Sequence, residues 1–133
     1  MYQISKEFRF EAAHRLLGHP KCGRLHGHSY RVVVTLQASE LREGMVEDYA
    51  DLSEIKDWID AHLDHRYIVS NELVRAVDMY ERVNPDENAY LDVERSTAEC
   101  LAKHLFDTFV KRFPMLTEIT VCETANTTAT YRP

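Results

Sequence analysis

The sequence predicts an α+β fold built around an antiparallel sheet, and three observations carry this. Residues His28–Ala38 alternate apolar and polar side chains. Two later segments carry helix-start signatures ahead of apolar residues at helical spacing. Two further extended runs close the chain, so strands and helices are segregated rather than strictly alternating. At 133 residues the chain has the length of one domain, and it can bury a core without a disulfide framework.

The first strand is expected over Tyr2–Phe10, with Tyr2, Ile4, Phe8 and Phe10 on one side and Lys6 interrupting. The second is stronger. Tyr30, Val32, Val34, Leu36 and Ala38 alternate with Ser29, Arg31, Thr35 and Gln37, and only Val33 breaks the period of two. Arg42–Gly44 should break the chain before a third extended piece, Met45–Tyr49. Asp51 and Glu54 have the spacing of a capping box, and Leu52, Ile55, Trp58, Ile59 and Leu63 follow on one helical face. Ser96 and Glu99 repeat that signature before Leu101, Leu105, Phe106 and Phe109. Lys111 and Arg112 suit a helix end, and Pro114 prevents much continuation. Glu118–Thr124 and Ala129–Arg132 read as strands flanking a polar turn at Ala125–Asn126–Thr127.

Residues 70–95 form a variable insert within the single domain 1–133. Leu73, Val74, Val77 and Tyr80 support a short helix there, and Asn84-Pro85-Asp86 a turn. The open edges of such a sheet must be covered or paired, often across a subunit interface.

Sixteen Lys+Arg against 22 Asp+Glu leave a net charge of −6, which argues against general nucleic-acid binding. A small anionic substrate held by a few local cations remains compatible with it. No window approaches the ~18–20 consecutive apolar residues of a membrane-spanning helix. The first ten residues carry Lys6, Glu7 and Arg9 and lack the apolar stretch of a signal peptide. Cys22, Cys100 and Cys122 are too few, and odd in number, for a secreted scaffold, so a cytoplasmic protein is expected.

The densest chemical signal is Cys22-Gly-Arg-Leu-His26-Gly-His28, with His14 just upstream. Residues two apart in a strand share a face, so His26 and His28 project together if the strand begins by His26. A third imidazole from the adjoining strand completes a three-nitrogen site of the kind zinc accepts, with one position open for substrate. Gly27 removes bulk between the two ligands. The alternative is a polar loop whose histidines only pack or hydrogen-bond. Cys22 is either a fourth ligand, closing a structural site, or an acid/base group beside an open one. Cationic neighbours such as Lys21 and Arg24 favour the thiolate.

Two further signals are weaker. Asp64 and His65 follow the first helix, where a carboxylate can orient an imidazole; alternatively they are charges on a solvated helix end. Glu123 falls on the face of Ile119 and Val121, a costly place for a carboxylate unless it is paired. Its partner is then an internal arginine or a ligand with a row of N–H donors, unless a register change puts it in water. His19, His62 and His104 are read as surface or helix-face residues, and Cys100 and Cys122 as small apolar groups.

Together these residues resemble the 6-pyruvoyl-tetrahydropterin synthase/6-carboxy-tetrahydropterin synthase family. The resemblance runs through Phe10-Glu11-Ala12-Ala13-His14, the Cys22–His28 motif, Met45–Tyr49, Leu63-Asp64-His65, Thr97-Ala98-Glu99 and Cys122-Glu123-Thr124. It implies a tunnelling fold, an antiparallel four-stranded sheet with two helices packed on one face. It also implies trimers stacked into homohexamers, with active sites at subunit interfaces. By the same resemblance His14, His26 and His28 bind zinc, and Cys22 accepts a proton. Asp64 and His65 complete the relay, Glu123 anchors a pterin and Thr97 lines its pocket. The implied substrate is 7,8-dihydroneopterin triphosphate. The bacterial 6-carboxy-tetrahydropterin-forming branch of queuosine and deazapurine biosynthesis is the nearer match, and the pyruvoyl-forming branch is the alternative. Lys21, Arg24, Arg15 and Arg132 are candidate triphosphate contacts. Remoter alternatives are a three-histidine zinc hydrolase and a non-catalytic zinc- or pterin-binding module. Glu47 and Ser96 depart from the family pattern, in which an apolar residue and a proline are common, and the insert is longer than in the compact branch.

Overall fold

The computed structural model describes all residues from Met1 to Pro133. The two N-terminal apolar runs form a long hairpin, β1 (Tyr2–His14) with β2 (His26–Ala38). They pair antiparallel in unbroken register, from Tyr2 opposite Ala38 to His14 opposite His26. The first strand therefore runs four residues past Phe10, because Glu11–His14 have partners waiting in Ser29–His26. At the C-terminus β5 (Leu116–Thr124) and β6 (Thr127–Tyr131) are joined by a tight turn at Ala125–Asn126. Two short strands lie between, β3 (Arg66–Val69) and β4 (Asn88–Tyr90), and the sheet order is β4-β3-β1-β2-β5-β6.

The four strands β1, β2, β5 and β6 make the expected antiparallel sheet. β3 and β4 extend it beyond β1 as parallel strands, so the sheet has six strands and is mixed. Nothing in the Arg66–Val69 run alternates, and it pairs with β1 only at Ala12 and Ala13, which is why it escapes a pattern reading.

Three α-helices accompany the sheet: α1 (Ser53–His62), α2 (Asn71–Arg75) and α3 (Ala98–Phe109). Ile55 and Ile59 of α1, and Leu101, Leu105, Phe106 and Phe109 of α3, enter one core with Tyr30, Val32, Val34 and Leu36 of β2. Each large side chain fully buried there contributes about 1.5–3 kcal/mol. Phe10 stacks on Tyr30 with ring centres 4.7 Å apart. The opposite face of the hairpin is polar, with Arg31 bonded to Glu7, Gln37 to Gln3 and Ser29 to Glu11. An antiparallel sheet with one dry and one wet face shows this alternation.

Three local expectations change. Residues 42–45 close a tight turn, with Glu43 and Gly44 at positive φ and reciprocal backbone bonds between Arg42 and Met45, so no strand follows at Met45–Tyr49. At the start of α1 no capping box forms. Backbone turns rising from Asp48 run directly into the helix, and Glu54 turns out to Arg112 in a two-pronged ion pair. α3 is capped by Thr97, whose hydroxyl accepts from the Cys100 N–H at 3.3 Å, while Ser96 is drawn elsewhere.

The insert buries Leu73, Ala89, Leu91 and Val93 and is pinned by polar bonds as well. Its short helix buries Leu73 and leaves Val74 exposed, and Val77 at positive φ ends the turn that follows. Asp78 is buried, and accepts from Arg15 Nη1 at 3.0 Å, the Tyr67 hydroxyl at 2.9 Å and the Glu81 N–H at 3.2 Å. Arg95 donates to the Leu17 carbonyl at 2.7 Å. The Arg15–Asp78 and Arg95–Leu17 bonds tie the insert to the chain leaving β1.

Candidate metal centre and active-site cavity

The row Phe8, Phe10, Ala12, His14 lies buried along β1, so His14 continues the core face of the strand. His26 sits directly opposite it, and His28 two residues on shares that face. A Cβ on Gly27 would come 3.1 Å from the Ala12 carbonyl oxygen, so the glycine allows close approach of the two strands. The three rings converge, with centroids 4.6, 5.0 and 4.9 Å apart, and their donor atoms lie within 4.8 Å of one another.

The tautomers are held from behind. His14 Nδ1 donates to the Ser96 carbonyl at 2.9 Å and His26 Nδ1 to the Arg24 carbonyl at 2.7 Å. A carbonyl can only accept, so both rings keep a lone pair on Nε2. Ser96 Oγ also lies 3.2 Å from His14 Nδ1, a contact a proline could not make. Burial lowers the pKa of His14 to about 4 and lowers that of His28 as well, which keeps both rings neutral at neutral pH. His14 Nε2 and His28 Nε2 are 3.1 Å apart. Two nitrogens on a tetrahedral zinc at ~2.05 Å would be about 3.3 Å apart, so the donor set suits that ion. Bonds to the outer ring nitrogens are what orient such ligands.

Beside the cluster opens a cavity of about 640 Å³, lined by Cys22, Lys21, Arg24, Thr97 and Glu123 among others. That size admits a drug-sized molecule. Cys22 lines the cavity, but its sulfur is not one of the donors that close on the common point. Glu123 is half-buried and finds no internal arginine. Its carboxylate oxygens lie 4.0 Å from His14 Nε2 and from His28 Nε2, too far for hydrogen bonds. Burial, helped by the nearby Glu99 charge, raises its pKa above the usual carboxylate value. Lys21 and Arg24 line the same cavity. Arg15 and Arg132, also candidates for anion contact, are instead engaged by Asp78 and Glu118.

Asp64 and His65 do pair, with His65 Nδ1 3.0 Å from Asp64 Oδ2. The Glu11 N–H donates to Asp64 Oδ1 at 2.9 Å and, more than His65, holds that carboxyl below its ordinary pKa. His65 is held in the left-handed region at φ 57° by its own N–H bond to the Glu11 carbonyl. His65 lines a second cavity, of about 600 Å³, which shares His28 with the first but does not include Cys22 or Glu123. One chain therefore brings together the histidines, Cys22, Thr97 and Glu123, and puts His65 on a cavity that shares His28 with them but not Cys22 or Glu123. His19 is more than a surface residue: its ring accepts the N–H groups of Lys21 and Cys22. A histidine three residues before a cysteine is too weak a sequence signal to single it out.

The family model described as 6-pyruvoyl tetrahydropterin synthase matches residues 3–133. A Synechocystis protein named 6-carboxy-5,6,7,8-tetrahydropterin synthase is 34% identical over 139 residues, covering 98% of this chain and 93% of its own. A Rickettsia bellii protein of the same name is 31% identical, with coverage of 95% and 96%. Among solved structures, an uncharacterized protein from Wolinella succinogenes superposes with a TM-score of 0.82 at 23% identity, covering 98% of this chain and 97% of that one. A catalytic-residue mutant of Plasmodium vivax 6-pyruvoyltetrahydropterin synthase gives 0.78 at 19% identity, with 99% and 97% covered. These two agree in fold, the tunnelling fold. A full-length match and relatives above 30% identity place the chain in the 6-pyruvoyl tetrahydropterin synthase family of enzymes.

Proposed function

We propose that this chain is a zinc-dependent 6-carboxy-5,6,7,8-tetrahydropterin synthase of queuosine and deazapurine biosynthesis. It would convert 7,8-dihydroneopterin triphosphate and one water to 6-carboxy-tetrahydropterin, acetaldehyde and triphosphate. The observation that carries the reading is the set of three imidazoles converging on one point, two of them with the Nε2 lone pair fixed, beside a cavity that holds a thiol and an unpartnered carboxylate. Similarity to relatives bearing the carboxy name favours that branch.

His14, His26 and His28 would hold the ion; when bound, zinc supplies Lewis acidity toward the oxygens of the substrate side chain. Glu123 accepts the parallel N–H donors of the pterin's amidine-like edge, which explains a carboxylate left unpaired on an apolar face. Thr97 lines that pocket while capping α3. Cys22 takes the proton from the substrate side chain. Lys21 and Arg24 make no ion pair within the chain, and stand free on the cavity wall to meet the triphosphate. Asp64 orients His65, and the pair reaches Cys22 from another subunit, in a homohexamer built as a dimer of trimers. No helix is long and apolar enough to cross a membrane; the proposed place of action is the cytoplasm.

Product analysis by mass spectrometry, with zinc-loaded protein and dihydroneopterin triphosphate, tests this. Stoichiometric acetaldehyde is expected. Triphosphate release without acetaldehyde would move the reading to the pyruvoyl-forming reaction, and no turnover at all would overturn both.

A further inference from the structure

We propose that His19 is a positioning residue that holds the Cys22 main chain, and so sets where the thiol meets the cavity. This rests on the reading of Cys22 as the proton acceptor. His19 Nδ1 accepts the Cys22 N–H at 2.8 Å and the Lys21 N–H at 3.2 Å. An atom that accepts two N–H groups carries a lone pair, so the ring proton sits on Nε2. The other backbone group of Cys22 is held as well, because its carbonyl accepts the Leu16 N–H at 2.7 Å. His19 donates its own N–H to Leu16 O at 3.2 Å and accepts from the Gly23 N–H at 3.0 Å. The loop is closed so tightly that a Cβ on Gly23 would lie 2.6 Å from the His19 carbonyl oxygen.

His19 lines neither the cavity that holds Cys22 nor the one at His65. It therefore touches no substrate in this arrangement, and acts only through the backbone of residues 21 and 22. The bond pattern is that of an asparagine turn, in which a side-chain acceptor binds N–H groups two and three residues ahead. Asparagine Oδ1 stands where histidine Nδ1 does, one bond from Cγ. That equivalence separates positioning from bulk packing, since asparagine keeps the acceptor and loses the ring.

The test compares His19→Ala and His19→Asn in the full zinc-loaded chain. Expected in H19A is a kcat about 100-fold lower, in line with a small misplacement of a reacting group, with KM changed by less than about threefold and the zinc content unchanged. Amide exchange at Lys21 and Cys22, read by NMR, should quicken about tenfold as those N–H groups lose their acceptor. H19N should restore both kcat and exchange to within about threefold of the parent. Unchanged exchange in H19A, an H19N variant as impaired as H19A, or zinc lost together with turnover would each overturn the proposal. A parent protein without turnover would overturn the functional reading alone, because the exchange measurements on the two variants still decide the role of His19.

Discussion

The histidine cluster at the loop end of the β1–β2 hairpin is finished within one chain, whereas the Asp64–His65 corner after α1 is not. His14 is 1% exposed, locked in its tautomer by the Ser96 carbonyl and flanked by two further rings. His65 has one carboxylate partner and is 77% exposed, on a cavity that His28 lines but Cys22 does not. The proposed metal site therefore needs only the folded monomer, while the proposed relay needs a second copy to carry His65 to Cys22.

The sharpest way to break this contrast is complementation. Cys22→Ala and His65→Ala should each lower turnover by about 10²–10⁴-fold, the usual contribution of a proton-transfer group. Co-assembled from one refolding mixture, the two dead variants should regain part of the activity, measured as acetaldehyde release. No recovery would place both groups in the same chain's site. C22A should keep its metal by elemental analysis, and His14→Ala should lose it.

Next in size is Asp78→Ala, which strands the Arg15 guanidinium directly after His14. Leaving this part-buried charge without its partner should cost up to about 3 kcal/mol, measurable as a shift in denaturant midpoint. An unchanged midpoint would separate the insert from the stability of the metal end.

A third test uses acid on the metal-free protein. His14 in the fold has its pKa lowered from 6.5 to about 4, so between those values the unfolded chain binds more protons than the folded one. Stability then rises with pH across that window. It should fall by an amount of order 3 kcal/mol as pH drops from about 6.5 to about 4, and bound metal should oppose the loss. His14→Ala should make the slope of stability against pH shallower across that window.

The smallest effect is expected at Thr97. Thr97→Ala removes the α3 cap and should cost about 1 kcal/mol in thermal unfolding, and Thr97→Ser should recover most of it.

Much of this molecule is legible residue by residue. The alternation over His28–Ala38 is local and marks a half-buried strand, and it extends without change to the His26–His28 pair. The apolar face of Leu101, Leu105, Phe106 and Phe109 likewise needs only its own spacing to mark α3. Expectations fail where two local signals compete. Ser96 and Thr97 are both acceptable helix caps, and the choice went to Thr97 because His14, 82 residues away, engages Ser96. Arg66–Val69 carries no period at all, and becomes a strand because Ala12 and Ala13 offer it an edge.

By itself, then, the chain's sequence determined the hairpin, the two long amphipathic helices and the shared face of His26 and His28, since short-range periodicity and sterics govern each. Only tertiary structure decided that His14 lies opposite His26, that its tautomer is set from the far end of the insert, and that Lys21 and Arg24 rather than Arg15 and Arg132 stand free beside the thiol. Those outcomes depend on strand register and on which distant carbonyl or carboxylate arrives first at a buried donor. No window of neighbouring residues contains that information.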